Sequence, residues 1–126
     1  MSHRPVLEPT AGHPITIEPT TGRVRVRVKG EVMADTRAAL GLREATIPVV
    51  QYIPFDDVVS ERLTPSDTTT YCPFKGEASY YNVTTAAGDT VEDAIWTYRE
   101  PYPAVAAIAG HVAFYPDKAE ISIEPD

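Results

Sequence analysis

The stretch from Thr68 to Tyr80 holds the only cysteine of the chain, Cys72, with Lys75, a Cys-Pro step, a Lys75-Gly76 turn and several hydroxyls. A thiol beside a lysine can serve as a nucleophile or redox centre, because the ammonium lowers the thiol pKa and a base such as His111 can take the proton. More often a lone cysteine is a small buried hydrophobe, and nothing in the spacing brings His111 to Cys72. Lys75-Gly76 is not a phosphate-binding loop, which needs glycines before the lysine and a Ser or Thr after it; here Glu77 follows Gly76. Lys75 is then either a plain turn residue or an ammonium aimed into a cleft at an anion.

Polar-tipped aromatics make a second constellation. Strand parity groups Ala94 with Trp96 and Tyr98, Tyr80 with Asn82, and His111 with Ala113 and Tyr115. Tyr80, Trp96, Tyr98 and His111 can line a pocket that stacks a flat ligand and hydrogen-bonds it. The alternative is a core whose polar tips are satisfied internally. Arg43 ends an apolar segment and is expected to point inward, where it needs a carboxylate or a ligand anion. Arg23, Arg25 and Arg27 share a strand face and read as a solvated edge. Glu92-Asp93 would face opposite ways on a strand and could not chelate together. Tyr52, Tyr81 and Tyr102 are candidates for a partner-docking face.

These groups must be positioned by β-structure. Residues 1–13 carry Pro5, Pro9 and Gly12 and are expected as a flexible tail, so His3 and His13 enter no expected site. From residue 14 to 126 a single β domain is expected. Ile15-Thr16-Ile17 alternates, Arg23–Val28 alternates strictly, and Lys29-Gly30 turns the chain into a second strand. Further strands are expected near 39–44, 48–53, 77–83, 91–98, 111–115 and 120–123, with a helical turn after Pro54 and a turn at Pro65-Ser66-Asp67. Pro103 followed by alanines and a closing Gly110 gives one short helix. Short strands at this density indicate a mainly β, antiparallel fold.

The chain has 126 residues and a formal charge of −7, enough for one core and unsuited to nucleic acid or an anionic membrane surface. One cysteine excludes an internal disulfide and a cysteine-paired structural zinc site. Without a secretory or membrane-spanning apolar segment, a cytoplasmic location is expected.

The chain resembles a bacterial and fungal family known as domain of unknown function 427, also filed under a nucleotidyltransferase-like label. The matching segments are Met33–Arg37, Leu42-Arg43-Glu44, Tyr52-Ile53-Pro54, Thr70–Tyr80, Ala94–Tyr98 and Ile108–Tyr115. The resemblance implies a small two-sheet β-tent (Mss4-like) fold. Many members of that wider group hold zinc through two Cys-x-x-Cys pairs, which this chain lacks. The nucleotidyltransferase label has no counterpart here, since no Gly-Ser step precedes paired aspartates.

The leading expectation is a polar-aromatic cleft binding a small anionic or carbonyl-bearing ligand through Arg43, Tyr71, Lys75, Tyr80, Trp96, Tyr98 and His111, with no cofactor and no metal. The alternatives are an enzyme using Cys72 as nucleophile or redox thiol, and an interaction module that forms a homodimer.

Overall fold

Strict alternation in Arg23–Val28 leaves Val24, Val26 and Val28 with no exposed surface, while the intervening arginines stay half-exposed. This is one strand of the computed structural model, which describes residues 4–125. The strands are β1 (Ile15–Pro19), β2 (Arg23–Val28), β3 (Glu31–Thr36), β4 (Leu40–Glu44), β5 (Ile47–Pro54), β6 (Leu63–Cys72), β7 (Gly76–Thr84), β8 (Thr90–Thr97), β9 (His111–Phe114) and β10 (Glu120–Glu124). They form two antiparallel sheets, ordered β1-β4-β5-β9-β8-β7-β6 and β10-β2-β3. The short helix after Pro103 is a 3₁₀ segment, Pro103–Ile108, kinked at Val105. Single 3₁₀ turns follow Pro54 and Val59. No helix among the described residues is long and apolar enough to cross a membrane.

Two expectations need correction. The arginines of β2 do not mark an edge, because β2 lies between β10 and β3. They are held by acids: Arg23 grips Asp35 with both Nε (2.6 Å) and a terminal nitrogen (2.5 Å), and Arg25 reaches Glu124 at 3.3 Å. Pro65-Ser66-Asp67 does not end a strand. It lies inside β6, where the pairing with β7 slips between Pro65 and Thr69, so turn-forming residues are absorbed in a bulge.

The long sheet carries a core on each face. Between the sheets, Val24, Val26, Val28 and Met33 pack with Ile53, Val83, Ile95, Val112 and Phe114. On the other face Leu42, Tyr52, Tyr80, Tyr98 and Ala113 pack with Val105 and Ile108 of the 3₁₀ segment. Alternation along β9 serves both cores, with Val112 and Phe114 on one side and Ala113 on the other. Each fully buried Val, Ile or Phe contributes about 1.5–3 kcal/mol, so the two faces together dominate stability.

β5 is unevenly paired. Residues from Ile47 to Tyr52 pair with β4, but β9 meets β5 only at Ile53 and Pro54. Beyond Phe114 the chain stays with β8, the Tyr115 amide bonding to the Ala94 carbonyl. A split therefore opens in the sheet beside the first half of β5.

The expected tail lies partly outside the described residues, which begin at residue 4. Its described part runs along the loop between β6 and β7. The Leu7 amide donates to the Pro73 carbonyl at 2.9 Å, and the Tyr71 hydroxyl to the Pro5 carbonyl at 2.7 Å.

Candidate functional site

The face of the long sheet that carries Tyr52, Tyr80 and Tyr98 is also hollowed. Parity brings Tyr52 from β5, Tyr80 from β7 and Trp96 from β8 to the same side, with Tyr98 and Tyr115 just beyond the ends of β8 and β9. They line a cavity of about 190 Å³, completed by Leu42, Glu44, Ile47, Pro48, Val50 and Lys75. Four of the expected site residues, Lys75, Tyr80, Trp96 and Tyr98, thus share one cleft.

Most polar tips in the cleft are taken. Trp96 Nε1 donates to the Tyr52 hydroxyl at 3.2 Å, and the rings meet edge-on. Tyr115 donates to the Tyr80 hydroxyl at 3.2 Å, and Tyr80 exchanges a 2.8 Å bond with Thr70 Oγ1. The Trp96 and Tyr115 rings lie 4.5 Å apart and tilted, forming a continuous aromatic wall. Tyr98 differs: it is only 8% exposed, yet its hydroxyl has no hydrogen-bond partner among the described residues. Burial raises the pKa of Tyr52, Tyr98 and Tyr115 well above the ordinary tyrosine value, so these phenols remain protonated donors at neutral pH.

The charged corner comes from two turns. Glu44 ends β4, and Ala45 then takes a left-handed conformation to start β5. Lys75 is in the turn from β6 to β7, its amide bonded to the Cys72 carbonyl and its carbonyl to the Tyr102 amide. Lys75 Nζ donates to Glu44 Oε1 and lies 3.7 Å from Cys72 Sγ. His13 Nε2 donates to Glu44 Oε2 at 2.7 Å, while its ring stacks on Phe74 at 4.2 Å. Burial pushes the Glu44 carboxyl up, but the bonds from Lys75 and His13 outweigh it, and its pKa falls below the ordinary glutamate value.

Other expected residues lie elsewhere. Arg43 is exposed on the opposite face of β4, lining a separate hollow with Glu18 and Gln51, because the burial of Leu42 and Glu44 fixes its parity outward. Tyr71 lies under the N-terminal segment, bonded to Tyr102 at 2.6 Å, and burial with that bond pushes its pKa up to about 12. His111 shares the parity of Ala113 but sits at the far end of β9, with Nδ1 2.9 Å from the Ala109 carbonyl. β8 and β7 stand between β9 and the Cys72 strand, and no hydrogen bond joins His111 to Cys72. A thiol–imidazole pair between Cys72 and His111, the alternative reading, has no contact behind it here. No cluster of three or more His, Cys, Asp or Glu fit for a metal occurs among the described residues.

Sequence reasoning missed Glu44, Tyr52, Tyr115 and His13 as parts of this site. Tyr115 and Tyr52 were accessible from strand parity. Glu44 follows from Leu42 by the same alternation once Leu42 is placed inside. His13 carried no local signal.

A family model described as Domain of unknown function (DUF427) matches residues 16–125. No curated protein matches the chain.

Proposed function

The chain belongs to the DUF427 family, and we propose that it binds a small uncharged ligand bearing a planar amide or carbonyl group in the aromatic cleft. The observation that carries this reading is the Tyr98 hydroxyl, a protonated donor without a partner, set beside the Trp96–Tyr115 wall. The hydroxyl opens onto the cleft, where a ligand carbonyl accepting from it would gain about 0.5–1.5 kcal/mol. The wall supplies stacking for a flat group.

The charge balance favours a neutral ligand over the anion first considered. Lys75 is neutralised by Glu44, and that carboxylate also faces His13. An anion would have to compete with Glu44 for the ammonium. The volume, about 190 Å³, lies below the roughly 300–1,000 Å³ of sites for drug-sized molecules, so the group held in the cleft is small. The β-tent relation belongs to the same reading and is supported by the two antiparallel sheets.

Trp96 is the only tryptophan in the chain, so its fluorescence reports on the cleft directly. Benzamide and benzoate share a shape and differ in charge. We expect saturable quenching or shift of Trp96 emission by benzamide, weaker binding of benzoate, and a loss of about three- to tenfold in benzamide affinity in Tyr98→Phe. Benzoate binding as tightly as benzamide, or an unchanged affinity in Tyr98→Phe, would sink the proposal.

A further inference from the structure

On the opposite face of the sheet from the cleft, an apolar groove of about 430 Å³ runs between β5 and β10. Its walls include Val49, Phe114, Pro116, Ile121 and Ile123. Ile47 and Ile123 are about half exposed, at 52% and 48%, so the groove holds much of the exposed aliphatic surface of the described residues.

The groove and the cleft are bounded by the same two pieces of chain. Ile47, Pro48 and Val50 line both. Tyr115 closes the cleft, and its neighbours Phe114 and Pro116 close the groove. Between these pieces lies the split described above, where β5 has β4 on one side and no strand partner on the other before Ile53. The two hollows therefore adjoin along the first half of β5, polar-aromatic on one side and aliphatic on the other.

We propose that the ligand is amphipathic, with its planar amide head in the cleft and an unbranched aliphatic tail passing beside β5 into the groove. This rests on the amide-binding reading above. The head accounts for the free Tyr98 hydroxyl, and the tail covers Ile47, Val49 and Ile123, which otherwise remain in water. The lining residues shared with the cleft, Ile47, Pro48 and Val50, favour a tail over an unrelated partner. The absence of any charged side chain from the groove lining favours an aliphatic tail over a charged one.

The test is a series of linear primary amides, propanamide, hexanamide and nonanamide, titrated against Trp96 fluorescence in the full chain. Each methylene that enters the groove should tighten binding by up to about fourfold. Ile123→Glu, with the milder Val49→Thr as a second variant, should flatten the dependence on chain length while leaving propanamide affinity unchanged. Tyr98→Phe should weaken all three amides alike. If propanamide binds but the series is flat, the tail inference is overturned and the amide-binding reading stands. If long amides bind without any effect of Tyr98→Phe, the groove acts apart from the cleft and the inference is overturned. If no amide binds, both readings fall. A flat series together with a dimer that Ile123→Glu dissolves in sedimentation would assign the groove to a second copy and overturn the inference.

Discussion

Glu44 accepts a hydrogen bond from Lys75 across thirty-one positions of chain, joining the end of β4 to the turn between β6 and β7. Their side chains are 12% and 9% exposed. Removing one partner leaves the other charge poorly solvated, at about 3–5 kcal/mol for a fully buried pair. Some solvent still reaches both, so Lys75→Met should cost roughly 2–3 kcal/mol. Glu44→Leu combined with Lys75→Met should recover part of that loss. Urea unfolding midpoints of the two single variants and the double variant test this, and a Lys75→Met variant as stable as the parent would refute it.

The same pair gives stability an acid limb. The folded pKa of Glu44 lies below its ordinary 4.5, so between the two values the unfolded chain binds more protons. Its contribution is complete above pH 4.5 and is lost as pH falls through the folded value. Glu44→Gln should be less stable at neutral pH and lose less on acidification. Denaturant unfolding across the acid range checks this, and parallel pH curves for parent and variant would contradict it.

Two tyrosines of the cleft should respond differently to loss of the hydroxyl. Tyr52 accepts from Trp96, so Tyr52→Phe strands an indole N–H and should cost about 1 kcal/mol. Tyr98 has no partner to strand. Tyr98→Phe should be neutral or slightly stabilising, within about 0.5 kcal/mol of the parent. Thermal unfolding of both variants decides the matter, and equal losses would mean that the Tyr98 hydroxyl is bonded after all.

Gly22 and Gly30 flank β2, and both have positive φ, +101° and +81°. A Cβ at Gly22 would lie 2.3 Å from the Glu124 carbonyl oxygen, whereas one at Gly30 meets nothing within 4 Å. Gly30→Ala should therefore cost only the left-handed penalty, about 1–2 kcal/mol. Gly22→Ala should cost roughly 3 kcal/mol or more, because it also pushes β10 away. Similar unfolding free energies for the two variants would show that β10 yields to the added methyl.

Alternation made most of the fold legible. β2 was readable because valine and arginine differ so sharply in hydropathy, and the end of β8 because Trp96 and Tyr98 keep one parity, although Ala94 packs in the core between the sheets. β6 was not, because Pro65, Ser66 and Asp67 carry turn signals that a bulge absorbs. The cleft was legible where its residues lie on regular strands, as with Tyr80 and Trp96. It failed at Arg43, where the appeal of a buried cation overrode the parity set by Leu42. It failed again at His13, whose role depends on the N-terminal segment meeting a loop sixty residues away, where Phe74 lies 4.2 Å from its ring. Nothing local encodes that meeting.

The place of β9 in the long sheet bears on how the chain is made. β9 is next to last in sequence but sits between β5 and β8. Until residues 111–114 leave the ribosome, the sheet exists as two unjoined pieces, β1-β4-β5 and β8-β7-β6. The hollow that faces both pieces has no shape before they join. Such late, distant pairing is slow and leaves apolar strand edges open in the meantime. A nascent chain halted before His111 would thus display the makings of the cleft without the cleft itself.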